Sequence, residues 1–319
     1  MPNPIHGTFQ SITGETLDKR LWLPEWQSDK QSGKQPANGP KAILQLVHGM
    51  AEHIDRYNET AQRLNEAGFI VVGHTHLGHG ATAKLPGHFA KENGWDALVE
   101  DTHTLRQETT ASYPGLPYFL LGHSMGSFVA RSYSLKYAKD LKGLILSGTG
   151  HFDPVTLGGG KLIANLQCVF GMAEKPSKLL QAISSAGYNS KYTNPRTEFD
   201  WLTADESVVD AYLADPFCGF PFTARGYRDM FTGLAGLHPK ALVDMDKDVP
   251  VYLFAGKDDP VGKYGEGVKK VGDEIRAAGV RDVTVTLYEG GRHEMFNEEN
   301  RQEVWADLTG WMERVILAV

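Results

Sequence analysis

Cysteine is scarce in this sequence. Only Cys168 and Cys218 occur among 319 residues, with no CxxC pair, which excludes a disulfide framework and a zinc knuckle and leaves both to act as small apolar residues. Basic runs are missing as well. Against 39 acidic residues stand 32 Lys and Arg, a formal charge of −7, and this argues against nucleic acid or an anionic membrane as the main partner. The start, Met1-Pro2-Asn3-Pro4-Ile5-His6, has neither the basic segment nor the apolar core of a signal peptide, and no apolar stretch approaches a bilayer span. A cytoplasmic location is the expectation. Internal repeats and low-complexity tracts are also absent, and the ordinary composition selects no function.

What is present is a repeating alternation. Residues 5–24 alternate loosely about a Thr13-Gly14-Glu15 turn, as an antiparallel hairpin would, and the polar segment 27–40 reads as a surface loop. Apolar runs then recur at residues 42–47, 69–72, 118–121, 141–146, 249–254 and 283–287. Helical periodicity separates them, clearest over 56–67 and 299–315. The expectation is an α/β fold, a mostly parallel sheet covered by helices on both faces. About a hundred residues between the fourth and fifth of these runs exceed what one crossover helix needs. We read 151–240 as an inserted helical cap between core parts 1–150 and 241–319. Within it, Leu162, Ile163, Leu166, Val169 and Phe170 share one side of a helix, Thr203-Ala204-Asp205-Glu206 has the form of a capping box, and residues 217–222 make an apolar loop.

The chemistry centres on Gly122-His123-Ser124-Met125-Gly126, between an apolar strand and a helical pattern. A GxSxG turn in that setting lifts the serine onto a tight corner at a helix N-terminus, so Ser124 is the candidate nucleophile. Sheets of this kind place ligands at the carboxyl ends of their strands. After the strands ending near residues 47, 121, 254 and 287 come His48-Gly49-Met50, Ser124, Asp258-Asp259-Pro260 and Gly291-Arg292-His293. A serine hydroxyl needs a base, and the base a carboxylate to hold its tautomer; the order Ser, Asp, His is that of an α/β-hydrolase. Of the twelve histidines, His293 follows the last strand in a glycine-rich loop and is the candidate base. Asp259 is preferred as the acid, with Asp258 as the alternative, and the N–H groups of Met125 and Met50 are the candidate oxyanion donors. His74, His76 and His79 form an HxHxxH run that could bind zinc, but the acidic residue such a run carries before its last histidine is here Gly78. The serine reading ranks well above it.

Taken together, His48-Gly49-Met50-Ala51-Glu52-His53 with Arg56-Tyr57, His76-Leu77-Gly78-His79-Gly80, the GHSMG elbow, residues 256–261, Gly291-Arg292-His293 and Phe199-Asp200-Trp201-Leu202 resemble the monoacylglycerol lipase and lysophospholipase branch of the α/β-hydrolases, which includes serine aminopeptidase S33-type proteins. The resemblance runs from about residue 5 to the last helix. It implies hydrolysis of a lipid ester with one acyl chain, no metal or organic cofactor, an apolar acyl site under the cap, and Glu52 and Arg56 at the glycerol end. The departure is Thr75, where the family usually has aspartate, and it bears on loop geometry. Leu162, Leu166, Phe170, Phe217, Phe220 and Phe222 are the acyl-site candidates, with cap packing an equal alternative for each. An exposed apolar cap surface could meet a membrane, a micelle or a second copy in a homodimer. A short-chain carboxylesterase, thioesterase or aminopeptidase would use the same triad. A zinc hydrolase or a non-catalytic binding module is the more remote alternative.

Overall fold

A computed structural model of the chain describes residues 3–25 and 39–318, so the segment expected as a surface loop over 27–40 lies, as far as residue 38, outside the described residues. Eight strands form one sheet: β1 (Ile5–Gln10), β2 (Thr16–Trp22), β3 (Ala42–Val47), β4 (Phe69–His74), β5 (Tyr118–His123), β6 (Gly143–Ser147), β7 (Val251–Gly256) and β8 (Val283–Tyr288). Their spatial order is β1-β2-β4-β3-β5-β6-β7-β8. The hairpin β1–β2 is antiparallel and joins β4 antiparallel, while every later pair is parallel.

Every residue of β3, β4, β5, β6 and β7 is buried, which is why these strands read as continuous apolar runs. The twofold strand period still operates, because it deals alternate side chains into two separate cores. Ile43, Leu120 and Leu253 enter one, and Leu44, Phe119 and Phe254 the other.

The helices are α1 (Asn58–Glu66), α2 (Gly94–Ser112), α3 (Met125–Tyr137), α4 (Pro154–Gln167), α5 (Lys178–Ser184), α6 (Glu206–Ala214), α7 (Ala224–Gly236), α8 (Pro239–Leu242), α9 (Glu266–Ala277) and α10 (Arg301–Leu317). Leu64 of α1 and Leu308 of α10 fill the second core; Leu98 of α2, Val129 of α3 and Val271 of α9 fill the first. Helices α4 to α8 lie between β6 and β7, and α4 to α7 fall in the segment expected as a cap. No helix among the described residues is long and apolar enough to cross a membrane.

Two local expectations need correction. The periodic stretch 56–67 is divided, with a 3-10 turn over Ile54–Tyr57 before α1. Helix α6 does open at Glu206, but its cap is Asp205, whose carboxylate accepts the Ser207 N–H, while Thr203 Oγ1 donates to Asn297 O at 3.0 Å. Thr203 is drawn away because it anchors the cap to the core.

The chain winds from β3 out to β4 and then returns to β5 on the other side of β3. This reversal leaves a crevice between the carboxyl ends of β3 and β5.

Candidate active site

Ser124 stands at that crevice with φ +51° and ψ −121°. Such a conformation costs a non-glycine residue roughly 1–3 kcal/mol and persists only where its surroundings enforce it. Here the Ser124 N–H donates to Ser147 O at 2.9 Å, and Ser124 O accepts from the N–H (2.8 Å) and Oγ (2.6 Å) of Ser127. The flanking glycines are steric necessities. A Cβ on Gly122 would lie 2.2 Å from Gly126 O, and one on Gly126 would lie 2.0 Å from Val47 O.

His293 is buried after β8, and its Nδ1 donates to Asp259 Oδ1 at 3.0 Å. Asp259 is fully buried after β7, and the same oxygen accepts the Val261 N–H at 2.9 Å. Of the two adjacent aspartates, the structure therefore pairs Asp259 with the imidazole. Asp258 instead uses its backbone, accepting the Tyr192 hydroxyl at 2.5 Å and donating to Gly291 O at 2.9 Å. With Nδ1 committed, the Nε2 lone pair points the other way. It is buried and unbonded among the described residues. Burial lowers the His293 pKa, but the charge of Asp259 and its hydrogen bond outweigh burial, and the net shift is upward from 6.5.

The loop after β3 is held on both sides of Met50. The Gly49 N–H donates to Glu52 Oε1 at 2.5 Å, and the Ala51 N–H donates to His79 Nε2 at 3.2 Å. The Met50 N–H between them has no hydrogen bond to another described residue. Met125 opens α3, so its N–H lacks an intrahelical acceptor. Met50 and Met125 line the same cavity as Ser124 and His293.

The HxHxxH run serves this loop. His79 donates from Nδ1 to Leu77 O at 2.9 Å, which leaves Nε2 as the acceptor for Ala51. His76 sits on His48, with ring centroids 4.1 Å apart, and its N–H donates to His48 Nε2. Burial lowers His74 to about 3 and His79 to about 4, so both are neutral at neutral pH. The three ring nitrogens do not converge; among the described residues the one group of His, Cys, Asp or Glu side chains with ligand atoms within 4.8 Å of one another is His53, Asp215 and Cys218. At the departure from the family pattern, Thr75 is buried and its hydroxyl accepts the Ile54 N–H at 3.4 Å.

Glu52 and Arg56 border the cavity, but their charged atoms turn inward. Arg56 donates to Glu52 Oε2 at 2.6 Å and grips both oxygens of Glu294 at 2.7 Å. Tyr57 also donates to Glu52 Oε1 at 2.9 Å. Glu294, the residue after His293, was not anticipated, and its 238-residue separation from Arg56 gives no sequence signal. Trp201, for which the sequence offers only its place in the stretch 199–202, has its ring 4.9 Å from that of His293, and its carbonyl accepts the His293 N–H at 3.4 Å.

The cavity holds about 610 Å³ between sheet and cap. Phe220 lines it, with Phe128, Leu157, Met230 and Phe231. Leu162, Leu166, Phe170 and Phe217 do not. Leu162, Leu166 and Phe170 are 59%, 49% and 79% exposed, because the inward side of α4 is made by Thr156, Leu157 and Gly160. Phe217 instead faces the His53 ring, and Phe222 is wholly buried against Phe89 and His79 in the core below.

A family model described as serine aminopeptidase, S33, matches residues 38–300. The monoacylglycerol lipase of Mycolicibacterium smegmatis is 28% identical over 313 residues, which cover 96% of this chain and 95% of that protein. The monoglyceride lipase of Homo sapiens is 26% identical over 285 residues, 87% of this chain and 84% of that one. Among solved structures, a highly thermostable carboxyl esterase from Bacillus coagulans, in complex with glycerol, aligns with a TM-score of 0.89 at 29% identity, covering 99% of this chain and 100% of its own.

Proposed function

Since the chain belongs to the serine aminopeptidase S33 family of α/β-hydrolases and is a carboxylic ester hydrolase, we propose that its substrates are esters of one acyl chain, foremost monoacylglycerols, cleaved through an acyl-enzyme on Ser124. The observation that carries this reading is the meeting of Ser124, the Asp259-paired His293 and the unbonded N–H groups of Met50 and Met125 on one large, mostly apolar cavity. That volume falls within the roughly 300–1,000 Å³ typical of small-molecule sites, and the apolar cap wall suits an acyl chain. In this reading the cap spans 151–240.

His293 Nε2 takes the Ser124 proton as Oγ attacks the ester carbonyl. The oxyanion is held by the Met50 and Met125 N–H groups, and Asp259 stabilises the imidazolium. His293 then gives its proton to the departing alcohol, and a water molecule deprotonated by the same nitrogen releases the acid. Glu52 and Arg56 border the end of the cavity where the alcohol would leave, and act mainly through the loops they brace.

The test is a rate series from acetyl esters to long-chain monoacylglycerols, with Ser124→Ala beside the parent. The rate is expected to climb toward medium or long chains, and Ser124→Ala to lose at least about 10⁴-fold. A maximum at acetyl or butyryl would reduce the assignment to a short-chain esterase. Activity surviving in Ser124→Ala would overturn the mechanism.

A further inference from the structure

We propose that His53, Asp215 and Cys218 form a binding site for a zinc-like divalent cation that clamps the cap to the core, a function separate from ester hydrolysis. The site draws on both bodies. His53 comes from the core, in extended conformation (φ −149°) just before the Ile54–Tyr57 turn. Asp215 and Cys218 come from the cap, where α6 ends in a tight turn closed by the Cys218 N–H on Asp215 O at 3.1 Å. A D-x-x-C turn presents a carboxylate and a thiol at the spacing by which a C-x₂-C turn presents two zinc ligands.

The distances suit a metal. His53 Nε2 lies 2.8 Å from Asp215 Oδ2, and the ligand atoms of all three residues lie within 4.8 Å of one another. Bonds of 2.0–2.3 Å in tetrahedral geometry separate nitrogen, oxygen and sulfur ligands by roughly 3.3–3.6 Å, so shifts of about 1 Å bring these atoms into place. The Phe217 N–H occupies Asp215 Oδ1 at 2.8 Å, which leaves Oδ2 to face His53. On the far side of the imidazole, Nδ1 is 3.8 Å from Asp55 Oδ2, and Arg20 fixes that carboxylate with two bonds of 2.6 and 2.9 Å. A carboxylate behind a histidine ligand is the usual device for setting the ring's tautomer and angle.

All three residues are partly exposed, so an ion can enter and keep a water as its fourth ligand. The mixed nitrogen, oxygen and sulfur set favours zinc, cobalt or cadmium over magnesium or calcium. Metal binding exchanges the Cys218 thiol proton into solvent for the metal–sulfur bond, with no change of oxidation state. The clamp would act beside the oxyanion loop, because Tyr212 Oη and the Gly219 N–H both donate to Ala51 O at 3.0 Å.

Cobalt(II) titration of the full chain tests the proposal, with absorption read for thiolate-to-cobalt charge transfer and intense tetrahedral ligand-field bands. The expected result is saturation at about one equivalent, bands that vanish in Cys218→Ser and persist in Cys168→Ser, and a Tm raised by zinc in the parent but not in Cys218→Ser. His53→Gln keeps the hydrogen bond to Asp215 and serves if Cys218→Ser does not fold; it too should lose the zinc-dependent rise. A parent without the charge-transfer band, bands that depend on Cys168, or an undiminished Tm rise in His53→Gln would each overturn the site.

Discussion

Two opposing effects meet at His293. Burial disfavours the imidazolium, the Asp259 carboxylate favours it, and the carboxylate prevails, so the pKa lies above 6.5. Because the base must be neutral to accept the serine proton, kcat/KM should fall as pH drops through that raised value. In Asp259→Asn the largest attraction is gone and burial is opposed only by the weaker pull of Glu294 and Glu52, so the acidic limb should move to lower pH while kcat falls by about 10⁴. The kcat/KM profiles of parent and variant decide this; a limb that stays in place would assign it to another group. Serine, histidine and their strand-end settings were legible from sequence because each is a local signal. The choice between Asp258 and Asp259 was not, since it depends on which neighbour the fold turns toward the imidazole and which it spends on Tyr192 and Gly291.

Arg56 joins elements that the sequence keeps far apart. Through Glu52 it reaches the Gly49 N–H of the loop after β3, and through Glu294 it reaches the residue after His293, so one guanidinium links the candidate oxyanion loop to the base. Burial pushes the Glu294 carboxyl up, but Arg56 outweighs this and holds it at about 2, below its ordinary 4.5. A folded-state pKa depressed in this way contributes stability that is present above about 4.5 and lost as pH falls toward 2. Urea unfolding at about pH 6 and about pH 3 should therefore show a smaller pH-dependent loss in Glu294→Gln than in the parent. An equal loss would place the acid sensitivity in other carboxylates. The strands could be read from their apolar runs, but the facing of α4 could not. Its large apolar residues Leu162 and Leu166 point outward, while Gly160 on the inward side lets the Phe231 ring approach within 3.0 Å of where a Cβ would stand. Periodicity marks an apolar stripe without saying which neighbour covers it.

At the scale of the molecule, most of the large apolar side chains left exposed among the described residues lie in the segment between β6 and β7. Val155, Leu162, Leu166, Val169, Phe170, Leu179 and Ile183 are all exposed, and Ile183 also borders the cavity. If the proposed single-chain esters are its substrates, a lipid aggregate is the expected occupant, and a chain of charge −7 should meet it through apolar contact rather than attraction to anionic headgroups. Burying one such side chain fully is worth about 2 kcal/mol and partial burial at an interface a fraction of that, so removing two should lower turnover of micellar long-chain monoacylglycerol by at least about tenfold when enzyme is limiting at the interface. Leu166→Ser with Phe170→Ser is the variant to make, since neither residue lines the cavity. Its rate on a soluble short-chain ester and its Tm should match the parent, and its loss on micelles should change little with salt. A matching loss on the soluble ester would show instead that these side chains support the catalytic structure. No loss on either substrate would turn attention to a second copy of the chain on this face, which light scattering of parent and variant would detect as a dimer that the substitutions dissociate.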